Sequence, residues 1–93
     1  MAVQVRVPTV LRSATAGQST VDAEGATVGE VLDQLGGRFP GLAGQLIGED
    51  GELHRFVNVY LNDDDVRYLE KLATKVGDGD IVSILPAVAG GAV

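Results

Sequence analysis

Thr27-Val28-Gly29-Glu30-Val31-Leu32-Asp33-Gln34-Leu35-Gly36-Gly37 is the stretch whose reading decides the fold. A threonine followed three residues later by a glutamate matches the capping box, in which hydroxyl and carboxylate each satisfy a backbone amide at a helix start. Val28, Val31, Leu32 and Leu35 recur at i, i+3, i+4 and i+7, which lays one apolar stripe along one helical face. The spacing predicts a helix from about Thr27 to Leu35, with Gly36-Gly37 ending it through a left-handed cap. Such a helix has one surface to bury, and the flanking sequence offers strands to bury it on.

Working outward, Val3, Val5 and Val7 alternate with Gln4 and Arg6, the period of a half-buried strand. Pro8 ends that run because it has no N–H to give. Ser13 to Gln18 are small and polar and read as a hairpin connection to a second strand, Ser19 to Ala23. Beyond the helix, Pro40 to Glu52 reads as loop holding one short helical turn around Leu42, Leu46 and Ile47. His54 to Leu61 is a third strand with Val57, Val59 and Leu61 on one side and Phe56, Asn58 and Tyr60 on the other. Asn62 to Asp65 is a turn. Tyr68, Leu69, Leu72 and Val76 mark a short irregular or helical piece, and Gly77-Asp78-Gly79-Asp80 leads into a last strand, Ile81 to Leu85. Hairpin, helix, strand, turn, strand predicts an α+β domain over residues 1–86. Its mixed sheet has four to five strands with one main helix packed across one face, the β-grasp arrangement. Residues 87–93 are expected to form a tail.

The bulk numbers remove several function classes. At 93 residues the chain has room for one modest core. Seven basic against thirteen acidic residues give a net charge of −6, which repels a phosphate backbone and argues against nucleic acid. The same excess favours encounter with a basic docking surface. No apolar run approaches the roughly 18 residues a membrane span needs. The N-terminus alternates from the start without a leader-like segment, so a cytoplasmic location is expected. The absence of cysteine excludes disulfides, thiolate metal sites and a nucleophilic thiol.

Side-chain chemistry is correspondingly thin. His54 is the single histidine, with no cysteine to work beside it, and reads as a strand-end residue. Asp63, Asp64 and Asp65 are consecutive and lack the alternate spacing and following glycine of a calcium loop. The glycines between 36 and 51 are not closed by the Lys-Ser/Thr of a phosphate loop. No catalytic residue, metal site or cofactor is expected. What remains is the end of the chain, Ala87-Val88-Ala89-Gly90-Gly91-Ala92-Val93, where paired glycines give a backbone able to pass through a narrow channel. There the working group would be a main-chain carboxyl.

Leu53-His54-Arg55-Phe56-Val57-Asn58-Val59-Tyr60-Leu61-Asn62-Asp63-Asp64-Asp65-Val66-Arg67 resembles the central segment of the ubiquitin-like sulfur carrier proteins, most closely the CysO type, with the MoaD and ThiS types more distant. Gly79-Asp80-Ile81-Val82-Ser83-Ile84-Leu85-Pro86-Ala87-Val88-Ala89-Gly90-Gly91 resembles their shared ending, and Pro8-Thr9-Val10-Leu11-Arg12 also matches the CysO pattern. The resemblance implies a carrier and not an enzyme. A ubiquitin-activating-type enzyme would adenylate the terminal glycine carboxylate with ATP, and sulfide or a persulfide donor would then replace AMP. Gly91 would be left as a thiocarboxylate, with Gly90 easing its approach. The implied acceptor is a cysteine-synthase-like pyridoxal-phosphate enzyme, or another sulfur-incorporating enzyme, with cysteine biosynthesis the leading destination. The carrier itself implies no cofactor.

The sequence departs from the family where Ala92 and Val93 follow the glycine that should be terminal. A tail-trimming metalloprotease is implied as a further partner. If the inward valines face the helix, then Gln4, Arg6, Phe56, Asn58, Tyr60, Ser83 and Leu85 share the other side. Phe56, Tyr60 and Leu85 are the expected partner-docking surface. Other readings stay open: sulfur delivery to a secondary metabolite, molybdopterin or thiamine, a ubiquitin-like protein modifier, or an interaction domain with an inert tail.

Overall fold

Alternation sets the sheet. In a computed structural model that describes residues 2–54 and 57–86, β1 (Ala2–Arg6) and β2 (Thr20–Glu24) pair antiparallel, with Val3 opposite Ala23 and Val5 opposite Val21. Every second residue of both strands is buried, so these four apolar side chains share one face. The chain continues through α1 (Val28–Arg38), α2 (Pro40–Leu46), β3 (Val57–Leu61), the two-residue β4 (Asp64–Asp65) and β5 (Ile81–Pro86). The five strands among the described residues run β2-β1-β5-β3-β4, with β5 parallel to β1 and antiparallel to β3. This is the expected β-grasp: the last strand lies between two antiparallel pairs, and α1 covers one face.

The core is the meeting of two predicted periods. Val28, Val31, Leu32 and Leu35 of α1 join Val3, Val5, Val57, Val59, Val82 and Ile84 of the sheet in one buried cluster. Leu61, the third inward residue of β3, packs partly buried against it. The capping box is present. Thr27 Oγ1 accepts from the Glu30 N–H at 3.2 Å, and Glu30 Oε1 accepts from the Ala26 N–H at 2.9 Å, one residue before the usual amide.

Three expectations need correction. The first concerns Gly36-Gly37, which does not stop α1; the helix runs on to Arg38, and Phe39 links it to α2. Gly36 serves close packing instead. A Cβ there would lie 2.9 Å from the Cβ of Ala43, so its absence lets α2 approach α1. Pro40, pre-set for the first helical turn, starts α2, and Leu42 and Leu46 are fully buried where mostly loop was expected.

The second concerns the connection from β1 to β2, which contains a 3₁₀ helix, Thr9–Thr15, that buries Leu11 and Thr15 before turning at Ala16 and Gly17. The third concerns Asn62 to Asp65, where Asp64 and Asp65 pair with β3 as an edge strand. Two short 3₁₀ turns follow, Val66–Tyr68 and Lys71–Ala73, burying Val66 and leaving Tyr68 88% exposed.

Candidate functional site

The last described strand lies in the middle of the sheet. β5 is hydrogen-bonded to β1 on one side and to β3 on the other, and Pro86, its last residue, stands opposite Val57. The entry to β5 is fixed as firmly. Gly79 turns the chain with φ +85°, the Asp80 carboxylate accepts from the Gly77 N–H at 2.8 Å, and Asn62 Oδ1 accepts from the Ile81 N–H at 3.1 Å. The Gly-Asp turn thus anchors the start of the strand that ends at Pro86. Gly90, Gly91, Ala92 and Val93 lie outside the described residues, as does Phe56.

The face away from α1 is open. Thr20, Arg6, Ser83, Tyr60 and Asp65 fall in register across β2, β1, β5, β3 and β4. One row nearer the tail, Asn58 stands opposite Leu85, which is 44% exposed. Tyr60 and Leu85 are therefore diagonal neighbours on this face, as alternation predicts. They border a concavity of about 540 Å³ that reaches past the end of β1 to Arg12 and Ser19. Its walls mix apolar Val7, Pro8 and Leu85 with the hydroxyls of Ser19, Thr20, Ser83 and Tyr60, and carry two arginines, Arg6 and Arg12, against one carboxylate, Asp63. Arg12 is half-buried and held in place, its Nε–H donating to the Val7 carbonyl at 3.1 Å.

Sequence reasoning passed over Arg67. Its guanidinium donates to Asn58 Oδ1, to the Val57 carbonyl at 2.8 Å and to the His54 carbonyl at 3.2 Å, while its own N–H donates to Asp65 Oδ1 at 2.9 Å. One side chain so ties the start of β3, opposite Pro86, to the turn after β4. The available signal was an arginine closing the stretch that carries the family resemblance, directly after the apolar Val66. Among the described residues no cluster of histidine, aspartate and glutamate could hold a metal ion, and no helix is long and apolar enough to cross a membrane.

A mixed sheet of this order, one helix across it and a central last strand that hands the chain to a glycine-paired end define a ubiquitin-like domain. Its sequence matches the ThiS family over residues 5–91, and the chain belongs to that family. It is 50% identical over 93 residues to the sulfur carrier protein CysO of Mycobacterium tuberculosis, covering 98% of this chain and 100% of that one. It is 53% identical over 66 residues to small archaeal modifier protein 3 of Haloferax volcanii, covering 71% of each. Among solved structures, a chain of the Amycolatopsis orientalis BexX/CysO complex superposes with a TM-score of 0.88 at 50% identity, covering 96% of this chain and 99% of that one. These relatives are named as carriers and modifiers, not as enzymes.

Proposed function

We propose that this chain is a sulfur carrier whose working group is the main-chain carboxyl of Gly91, exposed when Ala92 and Val93 are removed. The observation that carries the reading is a family match that runs to Gly91 and stops there, downstream of a strand fixed on both sides. Fully extended, residues 87–91 can span roughly 17 Å, enough for the terminal carboxylate to enter a deep site while the domain stays outside. In the first step that carboxylate attacks the α-phosphorus of ATP, pyrophosphate leaves, and an acyl adenylate forms. Sulfide then attacks the carbonyl carbon and AMP departs with the C–O bonding pair, leaving a thiocarboxylate. The absence of cysteine fits, because no internal thiol competes for the activated carbonyl.

The identity to the mycobacterial carrier supports cysteine biosynthesis as the destination, with a cysteine-synthase-like acceptor enzyme. We assign the work to the cytoplasm, where ATP is at hand, and the trimming to a metalloprotease that reads ubiquitin-like tails. Residues 1–86 act as the docking domain and 87–93 as the tail. The likeness to an archaeal modifier protein favours a second reading, attachment of Gly91 to lysines of other proteins.

The test compares chains ending at Val93, Gly91 and Gly90 after incubation with an activating enzyme, ATP and sulfide, by intact mass. The Gly91 chain should gain the mass of one oxygen exchanged for sulfur. The Val93 chain should load at least about a hundredfold more slowly, because a misplacement of about 1 Å already costs that much in rate. Heavier covalent adducts would indicate modification, and efficient loading of the untrimmed chain would overturn the precursor reading.

A further inference from the structure

The charge of one corner of the open face runs against the charge of the chain, although Asp22, Glu24 and Asp65 lie elsewhere on that face. Thirteen acidic residues outnumber seven basic ones, yet the concavity beside the tail exit carries Arg6 and Arg12 against Asp63 alone. Among the described residues neither guanidinium meets a carboxylate of the chain's own. Arg12 uses only its Nε–H, on the Val7 carbonyl, and its two terminal nitrogens remain available. We infer that this concavity receives an acidic side chain of the activating enzyme, with Arg12 as the fixed anchor and Arg6 as the second cation.

The chemistry fits that occupant better than a basic one. A guanidinium presents a planar fork that matches a carboxylate through two parallel hydrogen bonds. Arg12 has already lost part of its side-chain freedom to the bond with Val7, so less is lost again on binding. Ser83 and Tyr60 line the same concavity and bring hydroxyls able to donate to a carboxylate, and Leu85 adds an apolar wall. The face is continuous with Tyr60 and Leu85, the docking residues proposed from the sequence. Net charge alone selects a basic partner, whereas this corner selects an acidic one, which fixes the orientation of docking as well as its occurrence.

The inference rests on the sulfur carrier reading, and its test separates the two. Steady-state adenylation of the chain ending at Gly91 is measured with the purified activating enzyme, following pyrophosphate release, for R12E, R6E, D63N, R12K and Y60D, with D33K on the exposed side of α1 as control. R12E and R6E should each raise KM by about tenfold with kcat unchanged, since the tail is untouched and a charge pair at a docking face acts on encounter and dissociation. D63N should lower KM by removing the single competing carboxylate, and it probes the same idea should R12E disturb the bond to Val7. R12K should restore KM only in part, lacking the fork. D33K should change little.

An unchanged or lowered KM in R6E and R12E, with Y60D still raising it, would overturn the acidic partner while leaving the docking face standing. An unchanged KM in Y60D as well would remove the face itself. Movement of the Gly91 amide resonance of the free chain on R12E would name the chain's own tail as occupant and also overturn the inference. Conversion of the unsubstituted chain ending at Gly91 to the thiocarboxylate, read by intact mass, tests the sulfur carrier reading independently of all these variants.

Discussion

The same strands build both faces of the sheet, and the faces have opposite fates. Under α1 lie Val3, Val5, Val57, Val59, Val82 and Ile84, all buried. On the other side of β1, β3 and β5 lie Arg6, Asn58, Tyr60, Ser83 and Leu85, all partly or largely exposed. A strand alternates its side chains whether or not anything covers them, so periodicity alone does not say which half serves stability and which serves recognition. Here the helix decides. It takes the aliphatic side, and the mixed side is left with apolar, hydroxyl, carboxylate and guanidinium groups that no helix of the described fold packs across, Asn58 alone meeting the Arg67 side chain. Damage to one face should therefore appear as unfolding, and damage to the other as lost partner binding by a folded domain.

The widest separation is expected at Leu32, which is 2% exposed in the centre of the α1 stripe. Leu32→Ala should cost roughly 2–5 kcal/mol through lost burial and the cavity left behind. Chemical denaturation measures it, and a mutant that unfolds with the wild type would break the assignment of the covered face. Next come Tyr60→Asp and Leu85→Asp. Each should weaken docking to the activating enzyme by about 2 kcal/mol, as for a central apolar anchor, while stability moves by no more than about 0.5 kcal/mol, as usual for surface substitutions. Calorimetric titration of the folded variants sharpens the contrast, and undiminished binding would remove the open face from the docking account. The smallest effect is expected at the helix start. Thr27→Ala removes the acceptor of the Glu30 N–H and should cost about 1 kcal/mol, which for a domain of this size lowers the melting temperature by roughly 4–8 °C. Docking should be unaltered, because Thr27 lies at the end of the covered side.

How much of this was legible in the sequence differs by element. The stripe Val28, Val31, Leu32, Leu35 and the alternation of β1 and β3 are strong periodic signals, and Val3, Val5, Val57, Val59 and the four helical residues lie buried where their periods put them. Gly36 was misread because local sequence does not tell a glycine that ends a helix from one that admits a neighbouring helix. The distinction is made by Ala43, a residue of the next element. For the same reason α2 hid among glycines, although Leu42 and Leu46 already stood at helical spacing. At the site, Tyr60 and Leu85 follow from alternation once the helix-covered side is known. Arg12 and Arg67 do not, because a cation's role depends on the carbonyl it meets, and Val7, His54 and Val57 are brought to them by turns that no period encodes. The meaning of the glycine pair was readable only through family resemblance, since two glycines near a chain end carry no chemistry alone.

The central place of β5 has a mechanical consequence. A tail drawn into a partner's narrow channel transmits tension to Pro86 and along the axis of β5. That strand is held by β1 on one edge and β3 on the other, so a pull along it loads both rows of hydrogen bonds together in shear and does not peel them one at a time. An edge strand such as β2, bonded on one side only, would have a single row of pairs to resist the same pull. The domain is thus built to resist a pull on its last strand, so that force applied beyond Pro86 meets two rows of bonds before the fold gives way.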